Sequence, residues 1–204
     1  MFTKKNSFWS LGMALLMTLV ILIFRPSVVF DYDFESFFPQ EDEEILFYQD
    51  FRGKFENDND YLLIALGGNT EVFDSVFLSA ANSLNKSLKK LEKVERTISL
   101  LDLEEPIVNP FGIRYRKVLD WENAEQLQNT RKTILGSLQY QKGLISKDGN
   151  YLLILLKNKQ RISKEDGDDL YQEIKNLVAN SGINDYHLAG KIRAQGEFVN
   201  LLQE

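Results

Sequence analysis

Tyr61–Leu66 reads YLLIAL and Tyr151–Leu156 reads YLLILL, and the fold turns on this near-repetition. Each is an unbroken apolar run of strand length, the pattern of a strand covered on both or most of its faces. A polar loop follows each run, and then apolar residues at helical spacing. The first stripe is Phe77, Ala80, Ala81, Leu84, Leu88 and Leu91; the second is Leu170, Ile174, Leu177 and Val178. A further short strand closes each unit, VERTISL at Val94–Leu100 and YHLA at Tyr186–Ala189. The chain is therefore predicted to hold two β-α-β units in tandem, at about 60–100 and 142–190.

An extra strand, Lys142–Ser146, is predicted ahead of the second unit. It pairs with Tyr151–Lys157 through KDGN, where Asp148–Gly149 is a strong two-residue hairpin signal. Between the units the sequence predicts a loop with Pro106 and Pro110, then a helix from Trp121 to about Leu135. Upstream, EEILFYQDFRGKF spaces Phe47, Phe51 and Phe55 four apart, an apolar stripe on a helix of three turns that Gly53 weakens at its end. With right-handed crossovers, two β-α-β units give an antiparallel or mixed sheet with helices on one face. The fold class expected is α+β, a ferredoxin-like sandwich.

At the N-terminus, Asn6–Phe24 (NSFWSLGMALLMTLVILIF) is 19 residues without a charge. As a helix it spans roughly 28 Å, close to the hydrocarbon thickness of a bilayer. Lys4 and Lys5 precede it, Trp9 suits an interfacial position, and acidic sequence follows, so residues after 25 are expected outside the cytoplasm. Arg25 lies on the wrong side for that rule but can snorkel to the head groups. A cleaved signal peptide fits less well. The apolar run is longer than a usual signal core, and RPSVVFDYD after it has no small-x-small site. A buried core helix would carry a polar stripe, whereas this one has only Ser10, Gly12 and Thr18.

The 204 residues carry a net charge of -6, no cysteine and one histidine. Without cysteine there is no disulfide, thiolate metal site or thiol nucleophile. One histidine excludes His-paired zinc motifs. All three charges in residues 1–25 are basic, which leaves 21 basic against 30 acidic residues beyond, or -9. Such a domain is a poor partner for nucleic acid.

The motifs that could carry chemistry are weak. Gly67–Gly68 is an isolated pair and reads as a plain turn rather than a phosphate loop. Asn57–Asp60 (NDND) and Glu165–Asp169 (EDGDD) offer oxygen ligands without the EF-hand spacing; Glu165 and Asp166 read as first-turn helix acids. Asp31 and Asp33 form a DxD pair with no nucleotide fold around it. His187 sits in a predicted strand with no ordered Ser/Asp context for a triad. Asn85–Lys86–Ser87 matches a glycosylation sequon but falls on a helix. Lys86, Lys89, Lys90 and Lys93 read as a solvated face, with no interleaved aromatics for nucleic acid. No catalytic, cofactor-binding or metal-ligating residue is assigned, and no cofactor. An enzyme is not expected.

Four stretches, in order, resemble the first membrane helix and first extracytoplasmic loop of RND-superfamily exporters, especially the MMPL-like group. They are FESFFPQEDEEILFYQDFRGKFENDNDYLLIAL (Phe34–Leu66), VERTISL (Val94–Leu100), GLISKDGNYLLILL (Gly143–Leu156) and YHLAGKIRAQGEFV (Tyr186–Val199). Ile192 stands where the family pattern often has proline. The resemblance implies a proton-driven exporter of lipids or other hydrophobic compounds, with about twelve membrane helices in two halves, in the inner (plasma) membrane. Residues 1–25 would be the cytoplasmic N-terminus and membrane helix (about 6–24), and 26–191 the periplasmic or exterior porter domain. Residues 192–204, predicted helical, would lead to a second membrane segment, the chain being a fragment. Its partners would be the bilayer, the remaining transporter domains or subunits and a hydrophobic substrate. Phe34, Phe37, Phe38, Phe111 and Tyr115 are the aromatic candidates for a substrate cleft. The proton-relay residues of such pumps lie in later helices, and none corresponds here. The alternatives are a single-pass anchored scaffold or interaction protein, a SecD/SecF-type translocation subunit and, last, a membrane-tethered enzyme.

Overall fold

The computed structural model describes residues 4–23, 39, 41–55, 60–67, 72–121, 124–160, 162–194 and 197. The chain divides into two compact units, Met1–Asp31 and Tyr32–Glu204. The first holds helix α1, Lys4–Ile23. Its described side chains, from Trp9 to Ile21, are exposed all round, and the Thr18 hydroxyl donates to the Ala14 carbonyl at 2.8 Å. Among the described residues no helix is long and apolar enough to cross a membrane.

The second unit is α+β. Its elements are α2 (Glu43–Lys54), β1 (Tyr61–Gly67), α3 (Ser75–Leu88), β2 (Val94–Ser99), β3 (Glu104–Asn109), β4 (Gly112–Lys117), α4 (Ala124–Gly136), α5 (Leu138–Gln141), β5 (Tyr151–Asn158), α6 (Lys164–Ala179) and β6 (Asp185–Gly190). The main sheet runs in the order β2-β5-β1-β6, and every neighbouring pair is antiparallel. The two β-α-β units are therefore interlocked rather than side by side. β1 and β2 run parallel with β5 between them, and β5 and β6 run parallel with β1 between them.

Both crossover helices start at side-chain caps. Asp74 accepts from the backbone N–H of Val76 and Phe77 at 2.9 and 3.0 Å, and Ser163 accepts from that of Asp166 at 3.0 Å. Glu165 and Asp166 lie in the first turn of α6, where acids complement the helix dipole. The helices bury Phe77, Leu78, Ala81, Leu84 and Leu88 from α3, and Leu170, Tyr171, Ile174 and Val178 from α6. These join Leu62, Ile64 and Leu66 of β1 with Leu152, Ile154 and Leu156 of β5 in one core.

The continuous apolar runs are not covered equally on both faces. Burial alternates along β1 and most of β5, with Leu63, Ala65, Leu153 and Leu155 only partly covered on the second face. Their side chains are apolar on both sides of the pleat, so hydropathy alone could not reveal which face the helices take. At the far end of that face Lys157 is 1 % exposed and donates to Glu95 at 3.2 Å. Glu95 lies where the β2–β5 register shifts, between Val94 and Arg96.

Several expectations are corrected. The strand expected at Lys142–Ser146 shrinks to a single bridge, Ile145 with Leu152. Residues 138–141 are instead helical, and Leu144 and Ile145 N–H both donate back to the Tyr140 carbonyl, which leaves too little chain for a strand. The KDGN turn itself forms, with Gly149 at φ +73° and its N–H donating to the Ser146 carbonyl at 2.9 Å. The expected proline loop is a hairpin, β3–β4. Pro106 pairs with Tyr115, out of phase with the hydrogen-bonded Leu103–Val118 pair, so its missing N–H falls on the open edge of the ribbon. The stripe on α2 is not buried. Phe47, Phe51 and Phe55 are exposed and stack along the helix, the last two with ring centroids 4.5 Å apart. Of the helix expected at 192–204, a turn is described at 191–194, and most of the rest lies outside the described residues.

Candidate functional site

A cleft of about 550 Å³ opens between the base of the β3–β4 hairpin and α4. One wall comes from the hairpin and the chain leaving it, with Glu105, Arg116, Lys117 and Asp120. The other wall is a face of α4. Gln126, Asn129, Thr130 and Thr133 recur at i, i+3, i+4 and i+7, so they line one side of the helix, while Leu127 and Ile134 anchor it in the core. Tyr140 of α5 forms part of the floor. It is 3 % exposed and its hydroxyl donates to the Glu105 carboxylate.

Burial, and then the bond to Glu105, pushes the Tyr140 phenol up to about 12. Tyr171, whose hydroxyl donates to Glu197 at 2.7 Å, is raised to about 12 by the same two causes. An unfolded tyrosine ionises near pH 10, so the unfolded chain loses these protons first on raising the pH. The stabilisation from each buried neutral phenol is full below about pH 10 and is lost as the pH climbs through about 12. In a titration followed by phenolate absorbance, Tyr140 and Tyr171 should contribute late steps near pH 12. Tyr140→Phe should remove one of them, and a curve with no step above the ordinary range near pH 10 would contradict the assignment.

The cleft combines uncharged donors and acceptors on α4 with both signs of charge on the hairpin. It suits reversible hydrogen bonding to a polar or amphiphilic molecule, and its volume lies in the usual range for small-molecule sites. None of its lining residues is a histidine, cysteine or serine. Among the described residues no group of three or more His, Asp or Glu side chains could hold a metal ion.

The residues singled out from the sequence fall elsewhere. Gly67 ends β1, where a Cβ would come within 2.2 Å of the Asn150 carbonyl oxygen. That close approach explains the glycine; Gly68 lies outside the described residues. Asp60 is buried at the start of β1, and residues 57–59 are outside. In the acidic cluster, Asp166 and Asp169 face Lys93 at 2.9 and 3.6 Å, and Asp168 pairs with Lys164 at 2.6 Å. The bond to Lys93 holds the Asp166 carboxyl below the usual carboxylate range. Lys89 meets Asp102 at 2.7 Å, and Lys86 and Lys90 are exposed. Asn85 of the sequon is fully buried. It donates to Asp102 at 2.5 Å and accepts from the Thr97 hydroxyl at 2.8 Å, so it is a core polar link rather than a glycan acceptor.

His187 stands on β6 with its Nε2 3.4 Å from Asp185, and Asp185 also accepts from the Tyr151 hydroxyl at 3.0 Å. The bond to Asp185 raises the Tyr151 phenol. The imidazole is largely exposed to solvent, and the one hydrogen bond to the carboxylate that these three groups show comes from the tyrosine hydroxyl. Asp31, Asp33, Phe34, Phe37 and Phe38 lie outside the described residues. Phe111 and Tyr115 are on the exposed part of the β3–β4 hairpin, not in the cleft.

Sequence reasoning missed the cleft. Its one visible signal is the uncharged polar stripe on α4, where a solvent-facing helix usually carries charges. Neither the protein-family models nor the curated proteins give a match to this chain.

Proposed function

We propose that this chain supplies the membrane anchor and an extracytoplasmic porter domain of a proton-driven exporter of lipids or other hydrophobic compounds, of the RND superfamily and its MMPL-like group. The observation that carries the reading is the strand order β2-β5-β1-β6 with all neighbours antiparallel, built from two interlocked β-α-β units. That order is consistent with the split β-α-β arrangement expected of a ferredoxin-like domain, and β1, β2, β5 and β6 each overlap one of the four resembling stretches. The uncharged run at 6–24 supports the anchor, as do the apolar side chains exposed around α1 and the Thr18 hydroxyl closed onto its own helix. In a porter domain the sheet and helices act as a rigid body, and a cleft such as that between the hairpin and α4 opens and closes against neighbouring domains.

The chain lacks cysteine, so a single introduced cysteine can be followed without background. A cysteine replacing the exposed Val76 should react with a membrane-impermeant maleimide on intact cells, whereas one replacing Lys4 should react only after permeabilisation. Deleting the gene should raise the retention of a lipid-like fluorescent dye to the level produced by a protonophore. Equal retention with and without the protein would sink export while leaving the anchor to the labelling result. The exposed aromatic residues of α2 favour a second reading, an anchored interaction protein. That reading predicts normal labelling and unchanged dye retention.

A further inference from the structure

The β3–β4 hairpin carries an apolar surface that no element covers among the described residues. Phe111 at its tip is 97 % exposed, and Val108, Ile113 and Tyr115 are each more than 60 % exposed. The register places them deliberately with respect to charge. Val108 pairs with Ile113 and Pro106 with Tyr115 on one face, while Ile107 pairs with Arg114 and Glu105 with Arg116 on the other. The two carboxylates of the hairpin, Glu104 and Glu105, lie at its base across from Lys117 and Arg116, while Arg114 lies nearer the tip across from Ile107, with no carboxylate between it and Phe111.

The tip is also prepared for a medium poor in hydrogen-bond partners. Pro110 has no N–H, and the Phe111 N–H donates to the Asn109 side chain at 2.9 Å. Unsatisfied backbone donors are what normally keep a loop out of the lipid interface. An apolar face, an aromatic tip and an opposed basic face are the features by which amphipathic segments settle into an anionic bilayer surface.

We infer that the β3–β4 hairpin is a lipid-binding wedge that seats Phe111 among the acyl chains of an anionic bilayer while Arg114 and Arg116 engage the head groups. The inference rests on the anchoring reading of α1, which would hold the hairpin near the bilayer at high effective concentration. Nitroxide labels on single cysteines test the two separately. Phe111→Cys reports the hairpin, Leu15→Cys the anchor, and Val76→Cys an exposed position on α3. Each chain is reconstituted in phosphatidylcholine vesicles with and without phosphatidylglycerol, and accessibility to oxygen and to a water-soluble nickel chelate is measured. The label at 111 should be shielded from nickel with phosphatidylglycerol and lose that shielding without it. Arg114→Gln with Arg116→Gln should lower the shielded-to-exposed ratio roughly 30-fold. The label at 15 should be shielded in both mixtures and the label at 76 in neither.

Nickel access at 111 in anionic vesicles, with 15 shielded, overturns the wedge and leaves the anchor standing. Nickel access at 15 with 111 shielded supports the wedge and removes the anchor. Shielding at 111 that is independent of phosphatidylglycerol and accompanied by spin–spin broadening identifies a second copy as the occupant and overturns the lipid assignment.

Discussion

Ile64→Ala is expected to remove about 3–4 kcal/mol from the stability of the sheet domain. Ile64 lies at the middle of the central strand, pairs with Ile154 on one side and Leu188 on the other, and is fully buried. Deleting three carbons there loses their transfer free energy and leaves a cavity. Neighbours held in two ladders cannot collapse into it. Against a total stability of about 5–15 kcal/mol, the loss is a large share. It should appear as a fall in the urea midpoint at unchanged slope. Leu63→Ala, one residue along on the partly covered face, should cost distinctly less. Equal losses at the two positions would mean that the second face is as tightly packed as the first.

If residues 6–24 anchor the chain as proposed, Leu15→Arg is expected to shift membrane integration by about 3 kcal/mol, or roughly 100-fold in the ratio of integrated to free chain. Leu15 is central in the uncharged run, and its side chain is exposed on α1. An arginine at that depth cannot reach either head-group layer without distorting the helix or the bilayer. Near the end of the run the same substitution can snorkel, so Ile21→Arg should have a much smaller effect. Resistance to alkaline extraction measures both. A Leu15→Arg chain that stays with the membrane like the parent would exclude α1 as the anchor.

The strands and crossover helices were legible because their residues obey two clear periods. Leu62, Ile64 and Leu66 are spaced two apart, and Phe77, Ala81, Leu84 and Leu88 three or four apart. The ferredoxin-like expectation left the sheet antiparallel or mixed, since each unit alone satisfies the same patterns and only the pairing partners show that every neighbouring pair is antiparallel. The β3–β4 hairpin was hidden by its prolines. Pro106 weakens a strand assignment until its neighbour's register shows that its nitrogen faces outward. The aromatic stripe on α2 has the periodicity of a core helix and yet lies exposed, because periodicity reports an apolar face and not what meets it. The cleft was least visible of all. Tyr140 and Glu105 are 35 residues apart, and neither has a neighbour that hints at the other.

The interlocked sheet has a consequence for how the domain is made. Ile64 waits for Ile154, 90 residues downstream, and for Leu188, 124 residues downstream. β1 is thus the first strand of the sheet to emerge during synthesis and the one with both of its edges vacant longest. Until β5 arrives, YLLIALG is an apolar segment with neither ladder filled, the kind that pairs with stray chains. A nascent chain crossing to the far side of a membrane would expose it before its partners follow, so successful maturation would depend on a holding chaperone at the exit side or on translocation outpacing aggregation.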